Sequence, residues 1–152
     1  MCGQCFARKK RLFSRPSGYV HGCSTRQSCV AGGVVFYANY LKFFERARTE
    51  WLRAGGVHQR SLREQVGGMF VVVESQVKYL RPARLDDELV VTARLQEAGR
   101  AGLVIDQQAF VRRQAPEPRE LLCRARIRVG WVDAVTLKPA RIPPDILKTL
   151  PT

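Results

Sequence analysis

One stretch limits the folds open to this chain more than any other: Ala31 to Gly56, AGGVVFYANYLKFFERARTEWLRAGG. It opens on the pair Gly32-Gly33 and a short apolar run, Val34-Val35-Phe36. Tyr37, Tyr40, Leu41, Phe44, Ala47, Trp51 and Leu52 then recur at intervals of mostly three and four. That spacing predicts a helix over Tyr37–Ala54 with one wide apolar stripe. Gly55-Gly56 supplies the stop, because glycine accepts the left-handed conformation there. A helix of that span runs about 27 Å at about 1.5 Å per residue, so it needs a broad partner surface. Its N-terminus carries free N–H groups and a partial positive charge, which suits an oxyanion. Read more plainly, Gly32-Gly33 is a tight turn feeding a core helix.

The sequence after the helix is β in character. Ser61-x-x-Glu64 reads as a capping box opening a short helical turn, SLREQV. Met69–Leu80 reads as a strand ended by Arg81-Pro82-Ala83, since proline cannot donate to a ladder. Leu89–Gln96 alternates, with Leu89, Val91, Ala93 and Leu95 on one face. Gly99–Gly102 is a hairpin loop, and Leu103–Arg113 alternates again through Leu103, Ile105, Gln107, Ala109 and Val111. Leu121–Val132 is the last long strand: Cys123, Ala125, Ile127, Val129 and Trp131 face one way, and Arg124, Arg126 and Arg128 the other. One short helical turn is expected at Asp145–Leu150. One long helix followed by four antiparallel strands is an α+β layer design.

Length allows one domain with a real core. No apolar run reaches the ~18–20 residues of a membrane span. The net charge of +13 invites a nucleic-acid reading. Its distribution argues against one: residues 1–30 hold six basic residues and no acid, and the remaining 122 carry 20 basic against 13 acidic, interspersed along the chain. A basic body also fits a ligand with several phosphates.

Residues 1–30 read as a basic arm with no ordered element, and the domain proper as 31–152. The arm lacks the apolar core of a secretory signal, and its Arg and Ser content resembles an organellar transit peptide. Four of the five cysteines lie in it. Cys2, Cys5, His21, Cys23 and Cys29 can be drawn as a zinc site, but their irregular spacing favours reduced thiols, and no metal or cofactor is expected. Cys123 reads as a small core residue.

The wording of Ala31–Gly56 resembles the signature of the hotdog-fold acyl-CoA thioesterases of the 4-hydroxybenzoyl-CoA thioesterase class. Within that class it is most similar to the bacterial thioesterases associated with the Tol–Pal envelope system. VKYLRPARLDDELVV at Val77–Val91, GRAGLVIDQQAF at Gly99–Phe110 and LKPARIP at Leu137–Pro143 agree in order and spacing. The resemblance covers Ala31 to about Ile146. It implies a hotdog fold, a curved antiparallel sheet around one central helix, assembled as a homodimer or homotetramer with sites between subunits. It implies hydrolysis of an acyl-CoA or acyl carrier protein thioester in the cytoplasm, with a possible Tol–Pal link and no nucleic-acid partner.

Thioester hydrolysis needs a carboxylate to activate water or attack the carbonyl, and backbone donors to hold the oxyanion. The resemblance assigns the donor to the backbone N–H of Tyr37 and counts Gly33 among the substrate-binding residues. It places the family's catalytic Asp at Val30, which can neither take a proton nor attack. The family's first strand should also end there, and here it is expected to be missing or degraded. A shifted reading frame or misassigned start upstream of residue 31 explains the abrupt loss of pattern. Ser28 and Cys29 have no nearby histidine base. Glu45, on the helix, is the substitute carboxylate; its plain reading is an ion pair with Arg48 or Arg46. Arg100 matches a position where relatives hold the nucleotide, with Lys138 and Arg141 as weaker candidates; each reads equally as a solvated charge. His21 and His58 match no family position. The alternative function is a non-catalytic hotdog subunit that binds acyl-CoA or acts as a scaffold.

Overall fold

The computed structural model describes residues 19–24, 32–112 and 120–151, the first of these segments by its backbone alone. The helical stripe becomes α1, Asn39–Ala54. It buries Tyr40, Phe43, Phe44, Ala47, Trp51 and Leu52 together with one charged residue, Arg48. Its C-terminus is a Schellman motif. Gly56 takes φ 79° and donates to Arg53 O at 3.0 Å, and Val57 donates to Leu52 O at 2.9 Å. Val57 and Leu52 are both buried, so an apolar contact closes the cap.

Strands β1 (Tyr19–Ser24), β2 (Gly68–Tyr79), β3 (Glu88–Ala98), β4 (Gly102–Val111) and β5 (Glu120–Asp133) form one sheet in the order β1-β3-β4-β5-β2. Every neighbouring pair is antiparallel. The alternation sets which side chains meet the helix. Leu89, Val91, Ala93, Leu103, Ile105, Gln107, Ala109, Val111, Cys123, Ala125, Ile127, Val129 and Trp131 are all buried. β2 enters the sheet through Gly68, where a Cβ would lie 2.3 Å from the Trp131 ring, so only glycine fits. A short helix α2 (Gln59–Ser61), with a π-helical turn over Leu62–Val66, joins α1 to β2. A last helix, α3 (Pro144–Thr149), buries Ile146.

Four expectations need correction. An ordered element does lie before residue 31: β1 pairs from Tyr19↔Ala93 to Ser24↔Glu88. Strand pairing is a backbone interaction, and this six-residue segment has no alternation to reveal it. The boundary drawn at residue 31 therefore leaves a sheet strand on the arm side, and the first strand is not missing. α1 starts at Asn39, two residues late, because the first turn closes with i→i−3 bonds from Asn39, Tyr40 and Leu41. Tyr37 and Leu41 are 61% and 42% exposed, so these two members of the stripe face out of the subunit while Tyr40 between them is buried. Ser61 makes no capping bond, and Glu64 pairs instead with Arg60 at 3.0 Å, one helical turn back.

Trp51 is 1% exposed at the centre of the core. Trp51→Ala is expected to cost about 3–5 kcal/mol, read from chemical denaturation. A loss under about 1 kcal/mol would contradict this packing.

Candidate active site

The segment before α1 is pinned to the loop after β2. Val35 N donates to Ala83 O at 2.9 Å, and Leu85 N donates to Gly33 O at 2.9 Å. Ala83 N donates to Tyr40 Oη at 3.0 Å. Gly32 and Gly33 have φ 115° and 74°, values that side-chain-bearing residues rarely adopt. The clamp presents the start of α1 with no side-chain cap and no acid in its first turn. Among the described residues, the N–H groups of Tyr37 and Ala38 have no acceptor. The partial positive charge of the helix end is therefore uncompensated.

An aromatic wall stands beside these donors. Ring centroids lie 4.5 Å apart for Phe36–Tyr37, 6.0 Å for Tyr37–Tyr79 and 5.6 Å for Tyr40–Tyr79. Phe36, Tyr37, Tyr79 and Leu80 remain exposed. Burial pushes the Tyr40 hydroxyl above its ordinary range, keeping it neutral while it accepts from Ala83. Behind Tyr79, Cys123 is fully buried and burial raises its thiol to about 12, so it is no nucleophile.

Glu45 lies on α1 eight residues beyond Tyr37, about 12 Å along the axis at about 1.5 Å per residue. Its carboxylate pairs with Arg48. Arg48 in turn donates through Nη1 to Gln107 Oε1 at 2.7 Å, and Gln107 Nε2 donates to Phe44 O at 3.0 Å. This chain ties helix to sheet, and among the described residues no buried side-chain polar atom is left without a partner. Burial pulls the Arg48 pKa down from its usual value, with Glu45 opposing the shift. The Glu45–Arg48 ion pair is the plain reading of the sequence, whereas the buried link from Arg48 to Gln107 was not expected. The available signal was Gln107 itself, a polar residue on a strand face otherwise filled by Leu103, Ile105, Ala109 and Val111.

Arg100, Lys138 and Arg141 converge at the other end of the sheet. Ile142 N donates to Arg100 O at 2.8 Å and Asp133 N to Lys138 O at 3.0 Å, fixing the tail against the β3–β4 hairpin. All three side chains are exposed. Gly102, next to that hairpin, and Ala109, opposite Cys123 and so one strand from Tyr79, are seven residues apart on β4. That is about 24 Å at about 3.4 Å per residue. One chain therefore brings Gly33 to the Tyr37 N–H and Arg100 to Arg141, but keeps the two groups apart. Val30, Ser28 and Cys29 lie outside the described residues, as do Cys2 and Cys5. Only the backbone is described at His21 and Cys23. Among the described residues no three metal-ligating side chains gather.

A lone helix with an uncapped N-terminus, wrapped by an antiparallel sheet, is the hotdog arrangement. The model of the Thioesterase superfamily matches residues 32–117. The acyl-CoA thioesterase YbgC of Haemophilus influenzae is 37% identical over 116 residues, covering 76% of this chain and 81% of that protein. The acyl-CoA thioester hydrolase YbgC of Escherichia coli O6:H1 is 39% identical over 118 residues, covering 77% and 83%. The 4-hydroxybenzoyl CoA thioesterase of Pseudomonas sp. strain CBS-3 shares the fold with a TM-score of 0.78 at 19% identity, over 88% of this chain and 99% of that one. The chain belongs to the thioesterase superfamily.

Gln107→Leu is expected to destabilise by about 1–3 kcal/mol, because Arg48 loses a buried acceptor. Adding Arg48→Met should bring unfolding back toward wild type, since both polar partners are then gone. A double variant less stable than the single one would show that Arg48 contributes through contacts other than Gln107.

Proposed function

We propose that this chain binds acyl-CoA thioesters and is built to hydrolyse them, with the thioester oxygen held by the Tyr37 N–H. Water adds to the acyl carbonyl, the C–S bond breaks, and the products are a free acid and the coenzyme A thiol. The observation that carries the reading is the open Tyr37 N–H, fixed by the Gly33 and Ala83 clamp and flanked by an exposed aromatic wall. Two backbone donors at a helix start are what a developing oxyanion needs. The carboxylate is the incomplete part. Val30 stands where the family has its Asp, and Glu45 is engaged by Arg48.

The active unit we propose is a homodimer, which a tetramer can repeat. β2 is an edge strand of twelve residues, with Val72 and Val73 47% and 59% exposed. Such an edge is a template for another strand. Antiparallel pairing of two β2 edges about a two-fold axis sets the Tyr79 end of one copy beside the Gly68 end of the other. That brings Tyr37 of one copy toward Arg100, Lys138 and Arg141 of its partner, where they serve the phosphates of coenzyme A. The motif wording supports a role beside the Tol–Pal envelope system and a cytoplasmic substrate pool. Among the described residues no helix is long and apolar enough to cross a membrane.

Sedimentation equilibrium is expected to give twice the chain mass or a multiple of it; a monomer with full ligand affinity would contradict the shared site. Arg100→Ala should weaken a non-hydrolysable acyl-CoA analogue by about tenfold at most, because the contact is charge-assisted but solvent-screened. It should leave a pantetheine analogue without the nucleotide unaffected; equal loss on both means that Arg100 is structural. Thiol release from acyl-CoA should be near background for the chain as written, since losing the base or nucleophile commonly costs about 10²–10⁴. Val30→Asp should restore part of it. Strong turnover of the unmodified chain, abolished by Glu45→Gln, would instead make Glu45 the base.

A further inference from the structure

The sheet face turned away from α1 carries a charge arrangement that the thioester site does not use. Cross-strand register sets Lys78 opposite Arg124, Gln108 on the other side of Arg124, and Gln76 opposite Arg126. One step further along, Arg94 and Arg126 flank Asp106, and beyond them Arg128 faces Glu74. Arg126 is held by Asp106 through bonds of 2.9 and 3.4 Å, and Arg128 lies 3.7 Å from Glu74. Lys78 and Arg124 have no carboxylate: among the described residues neither makes an ion pair or a side-chain hydrogen bond. Both are exposed.

Like charges directly opposite each other on one sheet face destabilise the pair. Arg126 and Arg128 face amide, apolar or acidic partners, whereas Lys78 and Arg124 face each other. Neighbouring strands are about 4.8 Å apart, so an ammonium and a guanidinium on adjacent strands can both reach one tetrahedral anion. Gln108, exposed and opposite Arg124, adds an amide donor on the same face. We infer that Lys78, Arg124 and Gln108 form a phosphate-binding site on the outer sheet face, separate from the Tyr37 site. A phosphate there replaces a repulsion by two charge-assisted contacts. The same chemistry serves a free phosphate or one carried by a lipid headgroup. It does not depend on the thioesterase reading.

The test is calorimetric titration of the intact chain with inorganic pyrophosphate at low ionic strength, where screening is weak. Saturable binding is expected, weakened by about fivefold or more in both Lys78→Gln and Arg124→Gln and further in the double variant, with the same losses when Arg100→Ala has removed a phosphate contact at the other end of the sheet. Arg112→Gln is the control, since Arg112 sits at the end of β4 but already pairs with Glu88 at 3.3 Å. It should change affinity by less than about twofold, given how little a solvated pair contributes. Pyrophosphate should also raise the melting temperature of the wild type more than that of the double variant. Sedimentation with phosphatidylglycerol vesicles separates the sources: co-sedimentation lost in the double variant assigns the phosphate to a lipid, and no co-sedimentation assigns it to a soluble ligand. The inference is overturned if binding is not saturable, or if Arg112→Gln weakens it as much as Lys78→Gln does.

Discussion

The rest of the site depends on how the start of α1 is held. Val35 and Leu85 exchange backbone bonds with Ala83 and Gly33 across two loops, and Tyr40 reaches back from the helix to take the Ala83 N–H. These bonds satisfy the backbone around the helix entry and leave the Tyr37 and Ala38 N–H groups facing out. The N–H groups that follow, of Asn39, Tyr40 and Leu41, close onto Phe36 O, Tyr37 O and Ala38 O. On the function we propose, a thioester oxygen entering here meets donors that are already fixed.

The long helix and the last four strands were legible because each has a strong period and defined ends. Trp51, Phe44 and Ala47 fell on the buried face as their spacing required, and Gly55-Gly56 ended the helix by the expected device. Tyr37 misled because apolar spacing cannot tell a core aromatic from one lining a site. Arg48 was expected as a surface partner of Glu45, but its burial was not legible, because that depends on Gln107, fifty-nine positions away. β1 was invisible for a similar reason: its partner β3 lies far along the chain, and pairing through the backbone leaves no mark on composition.

The candidate site itself was only half legible. The motif wording named Tyr37 and Arg100 as parts of one site, and the single chain sets them at opposite ends of the sheet. Topology explains the separation, because the β3–β4 hairpin turns at the end of β4 remote from Ala109 and Cys123. In the dimer we propose, a two-fold axis perpendicular to the β2 edge reverses that direction in the second copy and brings the two ends together. The resemblance implied sites between subunits, but which edge would pair was not legible, since that is a matter of strand order in the folded sheet.

The central claim is that the Tyr37 N–H holds the thioester oxygen, and amide NMR reads that contact directly. A ketone analogue of acyl-CoA, with a methylene in place of sulfur, would be titrated into ¹⁵N-labelled protein while the Tyr37 amide is followed. The account predicts a saturable downfield shift of the Tyr37 amide proton, larger than at any residue of β3, with the same midpoint as binding measured by calorimetry. Saturable binding with the Tyr37 and Ala38 amides unmoved would contradict it.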